Sequence, residues 1–510
     1  MVRDEPVTPL VTPEDVHNAA LVQNVHPLDW VNPEPRRRYH LVVLGAGTAG
    51  LVTAAGAAGL GARVALVERH LLGGDCLNVG CVPSKSIIRS SRLAGEMKQA
   101  AEFGLQAPGG VTADFGAVMA RMRRIRARLS RNDSAERFRD LGVDVFLGDG
   151  VFTAPGEVMV GETVLRYRRA VIATGARAVR PDVEGLEEAG FLTNETVFSL
   201  TECPQRLAVI GGGPIGAELA QAFQRLGSAV TILTRGPRIL PREDPQAAAI
   251  VSRAFEGDGI EMIPGAQLVQ VRRETAGKVL VFEREGREES LEVDEILIGA
   301  GRAPNVAGLG LDTVGVNHDA RQGVEVDDHL RTSNRAIYAA GDVAMRQKFT
   351  HAADFAARIV IQNSLFLGRA RLGSLIIPRC TYTSPEVASV GLSETDAKRD
   401  AVGIDTFVRD MSEVDRAVAD GEEAGFVKVI VRKGTGTIIG ATIVAAHAGD
   451  LISEITLAMK EGIGLHKLAA VIHPYPTQAE AIRQIGDAFN RTRLTPRVKK
   501  IFCMWLKWMR

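Results

Sequence analysis

Cysteine, net charge and long apolar runs are all scarce in this 510-residue sequence. Its five cysteines, Cys76, Cys81, Cys203, Cys380 and Cys503, are too few and too dispersed for a secreted disulfide scaffold. Positive and negative side chains balance at 61 each, so no global field recruits nucleic acid or an anionic surface. No stretch approaches the roughly 18 consecutive apolar residues of a membrane span, which excludes integral membrane contact. The leader before Tyr39 lacks the charged start and apolar middle of a signal peptide, so a cytoplasmic location is expected. Small-molecule chemistry in a multi-domain protein is what remains, with about three domains at roughly 150 residues each.

Glycine, by contrast, is abundant at 53 residues, and many glycines cluster directly after apolar runs. Tyr39 to Leu44 reads as a buried strand, followed by Gly45-Ala46-Gly47-Thr48-Ala49-Gly50, an alanine-rich helix to about Gly59 and a strand from Arg63 to Val67. The same unit recurs with Leu207 to Ile210, Gly211-Gly212-Gly213-Pro214-Ile215-Gly216, a helix, and Ala229 to Leu233. A glycine pattern inside a strand–turn–helix–strand context marks a dinucleotide site, because the glycines let backbone approach the pyrophosphate at a helix N-terminus.

The first unit carries Glu68 directly after its second strand, placed to bind an unphosphorylated ribose, as FAD or NAD requires. The second has no acid there. Its strand runs into Thr234 and Arg235, with Arg238 and Arg242 following, and arginine meets a 2'-phosphate that a carboxylate would repel. The expected nucleotide is NADP(H) over NAD(H), with ordinary surface charge as the competing reading of these arginines.

Cys76 and Cys81 lie in Gly73-Gly74-Asp75-Cys76-Leu77-Asn78-Val79-Gly80-Cys81-Val82-Pro83-Ser84-Lys85, which leads into a helix expected near Pro83. A thiol at a helix N-terminus is stabilised as thiolate, and Cys76 could close a small disulfide ring with it. A zinc site would need two further ligands that no second close pair supplies, so no metal site is expected; two buried structural thiols are the other alternative.

Elsewhere, residues 1–38 read as a flexible leader. Phe115 to Arg139 reads as a basic helix, its arginines either contacting phosphate or, as the favoured reading, forming a solvated face. From about Pro378 the pattern shifts to α+β, with strands at Thr381 to Gly391, Phe426 to Val431 and Thr437 to Ala445, and helices at Asp450 to Glu461 and Gln478 to Phe489. Residues 497 to 510 mix lysine and arginine with Trp505 and Trp508, which suits either an interfacial membrane helix or, preferred, a terminal helix packed on its own protein. The fold class is α/β, two Rossmann-like dinucleotide-binding domains plus a carboxy-terminal α+β domain.

Together with ATGA (Ala173 to Ala176), GRAPN (Gly301 to Asn305), YAAGDV (Tyr338 to Val343) and YTSPEVASVGLSE (Tyr382 to Glu394), these segments resemble the pyridine nucleotide-disulfide oxidoreductases, the family of dihydrolipoamide dehydrogenase, glutathione reductase and mercuric reductase. The resemblance spans roughly residues 39 to 490. It implies a homodimer with an FAD domain over 39–185 and 303–376, interrupted by an NAD(P) domain over 186–302, and a dimerisation domain over 377–510. It implies that Cys81 faces the flavin and Cys76 exchanges with the acceptor, that Lys85 and Glu218 form an ion pair beside the flavin, and that Asp342 holds the ribityl chain. FAD contacts are expected from Gly45, Gly47, Gly50, Glu68, Gly74, Thr174, Gly175, Gly301, Arg302, Asp342 and His351, and nicotinamide dinucleotide contacts from Gly211, Gly213, Gly216, Arg235 and Arg242.

One departure bears on the acceptor. Where the family's disulfide reductases carry a catalytic histidine before Pro-Thr, this chain has Tyr475, with Glu480 retained and His473 two residues earlier. Tyrosine, with a pKa of about 10, does not take a thiol proton near pH 7, and whether His473 substitutes is left open. Tyr475, Thr234-Arg235 and Arg242-Glu243-Asp244-Pro245 resemble the mercuric reductase branch, whose soft Hg(II) needs no such base. An amino-terminal metal-binding domain and vicinal carboxy-terminal cysteines, both features of that branch, are missing. The expected activity is electron transfer from NADPH through FAD and the cysteine pair to Hg(II) or a disulfide. Its rivals are a diaphorase or quinone reductase that uses flavin directly, a dihydrolipoamide dehydrogenase-like activity, and a non-catalytic redox sensor.

Overall fold

The structure is a computed structural model that describes residues 11–106, 111–366 and 368–510. The chain divides into two compact units, residues 1–235 with 260–375, and residues 236–259 with 376–510.

The first unit opens with helix α1 (Val16–Val25), then strand β1 (Tyr39–Leu44), helix α2 (Thr48–Gly59) and strand β2 (Val64–Glu68). β1 is the near-continuous apolar run YHLVVL, as befits a strand covered on both faces. It lies between β2 and Thr163–Ile172, parallel to both, and Val143–Leu147 extends the sheet beyond β2. The strand Thr163–Ile172 is shared. Its first half pairs antiparallel with Glu157–Val160, and Ala170 to Ile172 pair parallel with Ile337 to Ala339. Residues on either side of the second glycine unit therefore complete one seven-stranded sheet. Its core gathers Val42, Leu44, Phe146, Phe152, Ile172 and Ile337, all almost wholly buried. The second glycine unit builds a four-stranded parallel sheet in the order Glu261–Pro264, Ala229–Thr234, Arg206–Ile210, Glu295–Ile298.

The second unit is a five-stranded antiparallel sheet ordered Arg379–Thr381, Glu386–Gly391, Ile438–Ala445, Phe426–Arg432, Ile404–Asp410. The single strand expected over Thr381 to Gly391 is two, separated at Thr383–Pro385, where Thr383 Oγ1 donates to Pro385 O. Residues 236–259 join this unit through ion pairs from Glu243 to Arg379 at 2.8 Å and from Asp244 to Lys428 at 2.8 Å, with Asp244 and Lys428 both buried.

Three readings of the termini and the basic helix need correction. From residue 12 the leader is built into the fold, because α1 buries Leu21 and Val25 and Trp30 Nε1 donates to Val145 O at 3.2 Å; residues 1–10 lie outside the described residues. The basic segment is helix α5 (Phe115–Ser130) followed by a separate short helix, Ala135–Asp140. Its Arg123 and Arg126 are buried rather than solvated, because the leader covers them. Finally, the terminal helix Pro496–Trp508 buries none of its residues among the described part of the chain, in place of the packed helix expected.

Candidate active site

Both glycine loops are shaped by contacts that a side chain would destroy. Gly45 has φ +97° and a Cβ there would stand 2.4 Å from Ala173 O. A Cβ on Gly50 would sit 1.8 Å from Gly45 O, and one on Gly216 would sit 2.2 Å from Gly211 O, so the third glycine of each loop lies against the carbonyl of the first. Gly47 and Gly213 are the N-caps of α2 and of the helix Pro214–Leu226, and neither helix start receives a side-chain cap. Each leaves backbone N–H donors for a pyrophosphate, and a Cβ on Gly213 would meet nothing within 4 Å, so this cradle fits a dinucleotide. Glu68 closes the first cradle, its carboxylate accepting from Ala46 N at 2.6 Å and His70 N at 2.8 Å. After the strand Ala229–Thr234 comes Arg235, exposed, and Arg242 is exposed as well.

Other positions expected at FAD form a linked set. Thr174 Oγ1 donates to Asn305 O at 2.7 Å, and Asn305 N donates to Gly175 O at 3.0 Å, which ties the ATGA turn to the segment after Gly301. Arg302 bonds the carboxylate of Asp75, donates to Ala176 O at 2.6 Å and lies 3.4 Å from Asp342. Burial raises the Asp342 carboxyl against the pull of Arg302 and Lys348. His351 stacks on Phe349 with ring centroids 5.4 Å apart.

The cysteines sit on two consecutive helices, Cys76 in the short helix α3 (Gly74–Asn78) and Cys81 as the first residue of α4 (Cys81–Lys98), two residues earlier than the expected start. Gly80, the N-cap, offers no side chain, so the helix dipole acts on the Cys81 sulfur. Thr350 Oγ1 lies 3.4 Å from Cys81 Sγ. A hydrogen bond from Cys76, aided by Thr350 and Lys85 and opposed by burial, lowers the Cys81 pKa to about 6. Its bond to Cys81 and its burial push the Cys76 thiol upward. One turn along α4, Lys85 Nζ meets Glu218 Oε2 at 2.7 Å, with the Glu218 side chain almost fully buried.

Behind the cysteines lies a second layer that no local motif announces. Arg126, on α5, donates to the carbonyl of Asn78 at 2.7 Å and to Asn18 Oδ1 at 2.7 Å. Asn78 in turn donates to the carbonyls of Leu72 and Gly74 at 3.0 and 2.9 Å. Asp15 accepts from Arg123 at 2.5 Å and from the backbone of His17 and Asn18, capping α1. The loop between the cysteines is thus held by a buried guanidinium anchored on the leader. Nothing periodic marked these residues, nor Thr350.

In the second unit the expected trio separates. His473 lies with Nε2 3.0 Å from Glu454 and Nδ1 3.2 Å from Val471 O. Tyr475 is exposed and donates to Asp415 at 2.8 Å, a bond that raises its pKa, while Glu480 accepts from Arg483 at 2.6 Å. His473 pairs with Glu454, while Glu480 pairs with Arg483.

Two glycine-loop dinucleotide folds together with a helix-anchored cysteine pair define a nucleotide-dependent redox protein. Residues 39–357 match the family profile described as pyridine nucleotide-disulphide oxidoreductase, and residues 377–485 match that family's dimerisation domain. The chain is similar to a mercuric reductase of Staphylococcus aureus, 33% identical over 91% of this chain and 84% of that protein. It is also similar to a dihydrolipoyl dehydrogenase of Bacillus subtilis (strain 168), 35% identical over 88% and 95%. Among solved structures, the HOCl-induced flavoprotein disulfide reductase RclA of Escherichia coli superposes with a TM-score of 0.79 at 26% identity, covering 88% of this chain and 99% of that one. The chain belongs to the pyridine nucleotide-disulphide oxidoreductases, flavin- and pyridine nucleotide-binding enzymes.

Proposed function

We propose that this chain is an FAD-dependent NADPH oxidoreductase acting through Cys76 and Cys81 on a thiol-reactive acceptor, Hg(II) before a disulfide. The observation that carries this is the polarised pair: Cys81 at the first position of α4 with its pKa lowered to about 6, and Cys76 held protonated beside it. FAD, when bound by the first glycine cradle, Glu68, Arg302 and Asp342, supplies two-electron transfer between nicotinamide and the cysteine disulfide. The chain's own part is to keep Cys81 as thiolate near neutral pH, to balance charge there with Lys85 and Glu218, and to present Cys76 as the exchanging thiol.

Hg(II) is favoured over a disulfide because attack by Cys76 on a disulfide requires a base for its proton, and Tyr475, a poor acceptor, stands where the family's disulfide reductases carry their histidine. A soft ion binds thiolates without such a base. The relatives named mercuric reductase support the same reading. The exposed Arg235 and the lack of an acid after Thr234 support NADP(H) over NAD(H). The dimerisation profile supports a homodimer.

Anaerobic NADPH titration of the holoprotein tests this, with NADH in parallel and Cys81→Ser as control. A long-wavelength thiolate-to-flavin band that vanishes in the variant is expected, followed by Hg(II)-dependent NADPH oxidation. Bleaching of the flavin without that band, and quinone reduction that survives Cys76→Ser with Cys81→Ser, would establish direct use of the flavin instead.

A further inference from the structure

The terminal helix Pro496–Trp508 is well made yet covers nothing. Thr495 caps it, accepting from Val498 N at 3.3 Å, and Pro496 occupies its first turn. Its large apolar side chains are bare: Ile501 57% exposed, Phe502 54%, Trp505 57%, Leu506 59% and Trp508 77%. At about 100° per residue, Val498, Ile501, Phe502, Met504, Trp505, Leu506, Trp508 and Met509 share one broad arc that Arg497 interrupts between Met504 and Trp508, while Lys499, Lys500, Lys507 and Arg510 gather on the narrow opposite face. Trp505 and Trp508 lie side by side with ring centroids 5.2 Å apart.

We propose that this helix docks the enzyme on an anionic lipid surface, lying in the plane of the headgroups. Charge selects the occupant. From Ala488 to Arg510 there is no Asp or Glu side chain, against the seven cations Arg491, Arg493, Arg497, Lys499, Lys500, Lys507 and Arg510. Acidic headgroups would neutralise these charges directly. The match to the dimerisation profile also ends at residue 485, before the helix begins. Thirteen residues rise only about 20 Å, too short for a hydrocarbon core of about 30 Å, and no described helix is long and apolar enough to cross a membrane. A broad apolar arc with tryptophan, bordered by lysines whose stems reach back to the surface, is the composition of a helix that lies in the interface.

The test uses the full-length holoprotein with vesicles of phosphatidylglycerol and phosphatidylcholine, against vesicles of phosphatidylcholine alone. Two of the chain's three tryptophans are on this helix, so fluorescence reads the docking as a blue shift alongside flotation. Binding is expected to be at least tenfold stronger to the anionic vesicles, to weaken steeply with added salt, and to be lost on Trp505→Ala with Trp508→Ala while NADPH-dependent turnover is unchanged. Lys499→Glu with Lys500→Glu should weaken it about tenfold or more. Absence of vesicle binding, or equal binding to both vesicle types, overturns the proposal. So does a tryptophan double variant that instead lowers the oligomeric state, which would make a second copy of the chain the occupant.

Discussion

Arg126→Met removes the guanidinium that joins the leader to the cysteine loop while keeping most of the apolar stem. Two short hydrogen bonds are lost, to Asn78 O and Asn18 Oδ1, both from a charged donor at a site only 4% exposed. Such bonds contribute about 1.5–3 kcal/mol each, but burial of the cation costs part of that, as its pKa drawn down to about 10 by desolvation shows. A net loss of about 2–3 kcal/mol is expected, confined to the segment that Asn78 anchors rather than spread over a multi-domain protein. At about 1.4 kcal/mol per tenfold, amide exchange across Gly74 to Gly80 should quicken about 50-fold. Val79 N, which donates to Asp75 O at 2.9 Å, is the direct reporter. Asn18→Ala removes one of the two contacts and should show about a tenfold effect. Hydrogen exchange read by mass spectrometry on the holoprotein decides the matter. Unchanged protection over Gly74 to Gly80 in Arg126→Met, with the remainder of the protein still folded, would refute the claim that the leader and α5 hold the cysteine loop.

Alkylation of the reduced enzyme by iodoacetamide should follow a titration with midpoint near pH 6, assigned to Cys81, with reactivity lost below it as the thiolate gains its proton. Cys76→Ala should move that midpoint upward most, and Lys85→Met should move it upward less, because the Cys76 hydrogen bond outweighs the Lys85 charge; an unchanged midpoint in both would refute the assigned causes. Gly50→Ala places a methyl 1.8 Å from the backbone oxygen of Gly45 and should yield protein that retains little flavin, measured as the ratio of 450 nm to 280 nm absorbance. In the second unit, Asp244→Ala leaves Lys428 with its 3.2 Å contact to Glu394 and the Phe426 ring and should cost about 3 kcal/mol, read as a lowered unfolding midpoint of that unit.

Much of the candidate site is legible in the sequence because its determinants are local. Gly45-Ala46-Gly47 and Gly211-Gly212-Gly213 each follow an apolar strand and open a helix, and that order of residues dictates backbone geometry within a few positions. Cys81 could be placed at a helix N-terminus for the same reason, to within two residues. The separation of Thr381 to Gly391 into two strands, and the fates of His473, Tyr475 and Glu480, were set by partners elsewhere: Glu454 is 19 residues from His473, and Asp415 is 60 from Tyr475. Extended spacing alone could not choose among them.

Local order along the chain sets the two glycine cradles, the cysteine pair and the amphipathic pattern of the last helix, since each is written in contiguous residues. Tertiary structure alone decided that the leader is part of the core and that an arginine expected in solvent is a buried clamp. Arg126 reaches Asn78 across 48 residues and Asn18 across 108, and contacts at such separations leave no periodic trace along a chain. The terminal helix shows the converse. Its amphipathic pattern was plain from the order of its residues, but only the folded chain revealed that none of the described residues buries the apolar face.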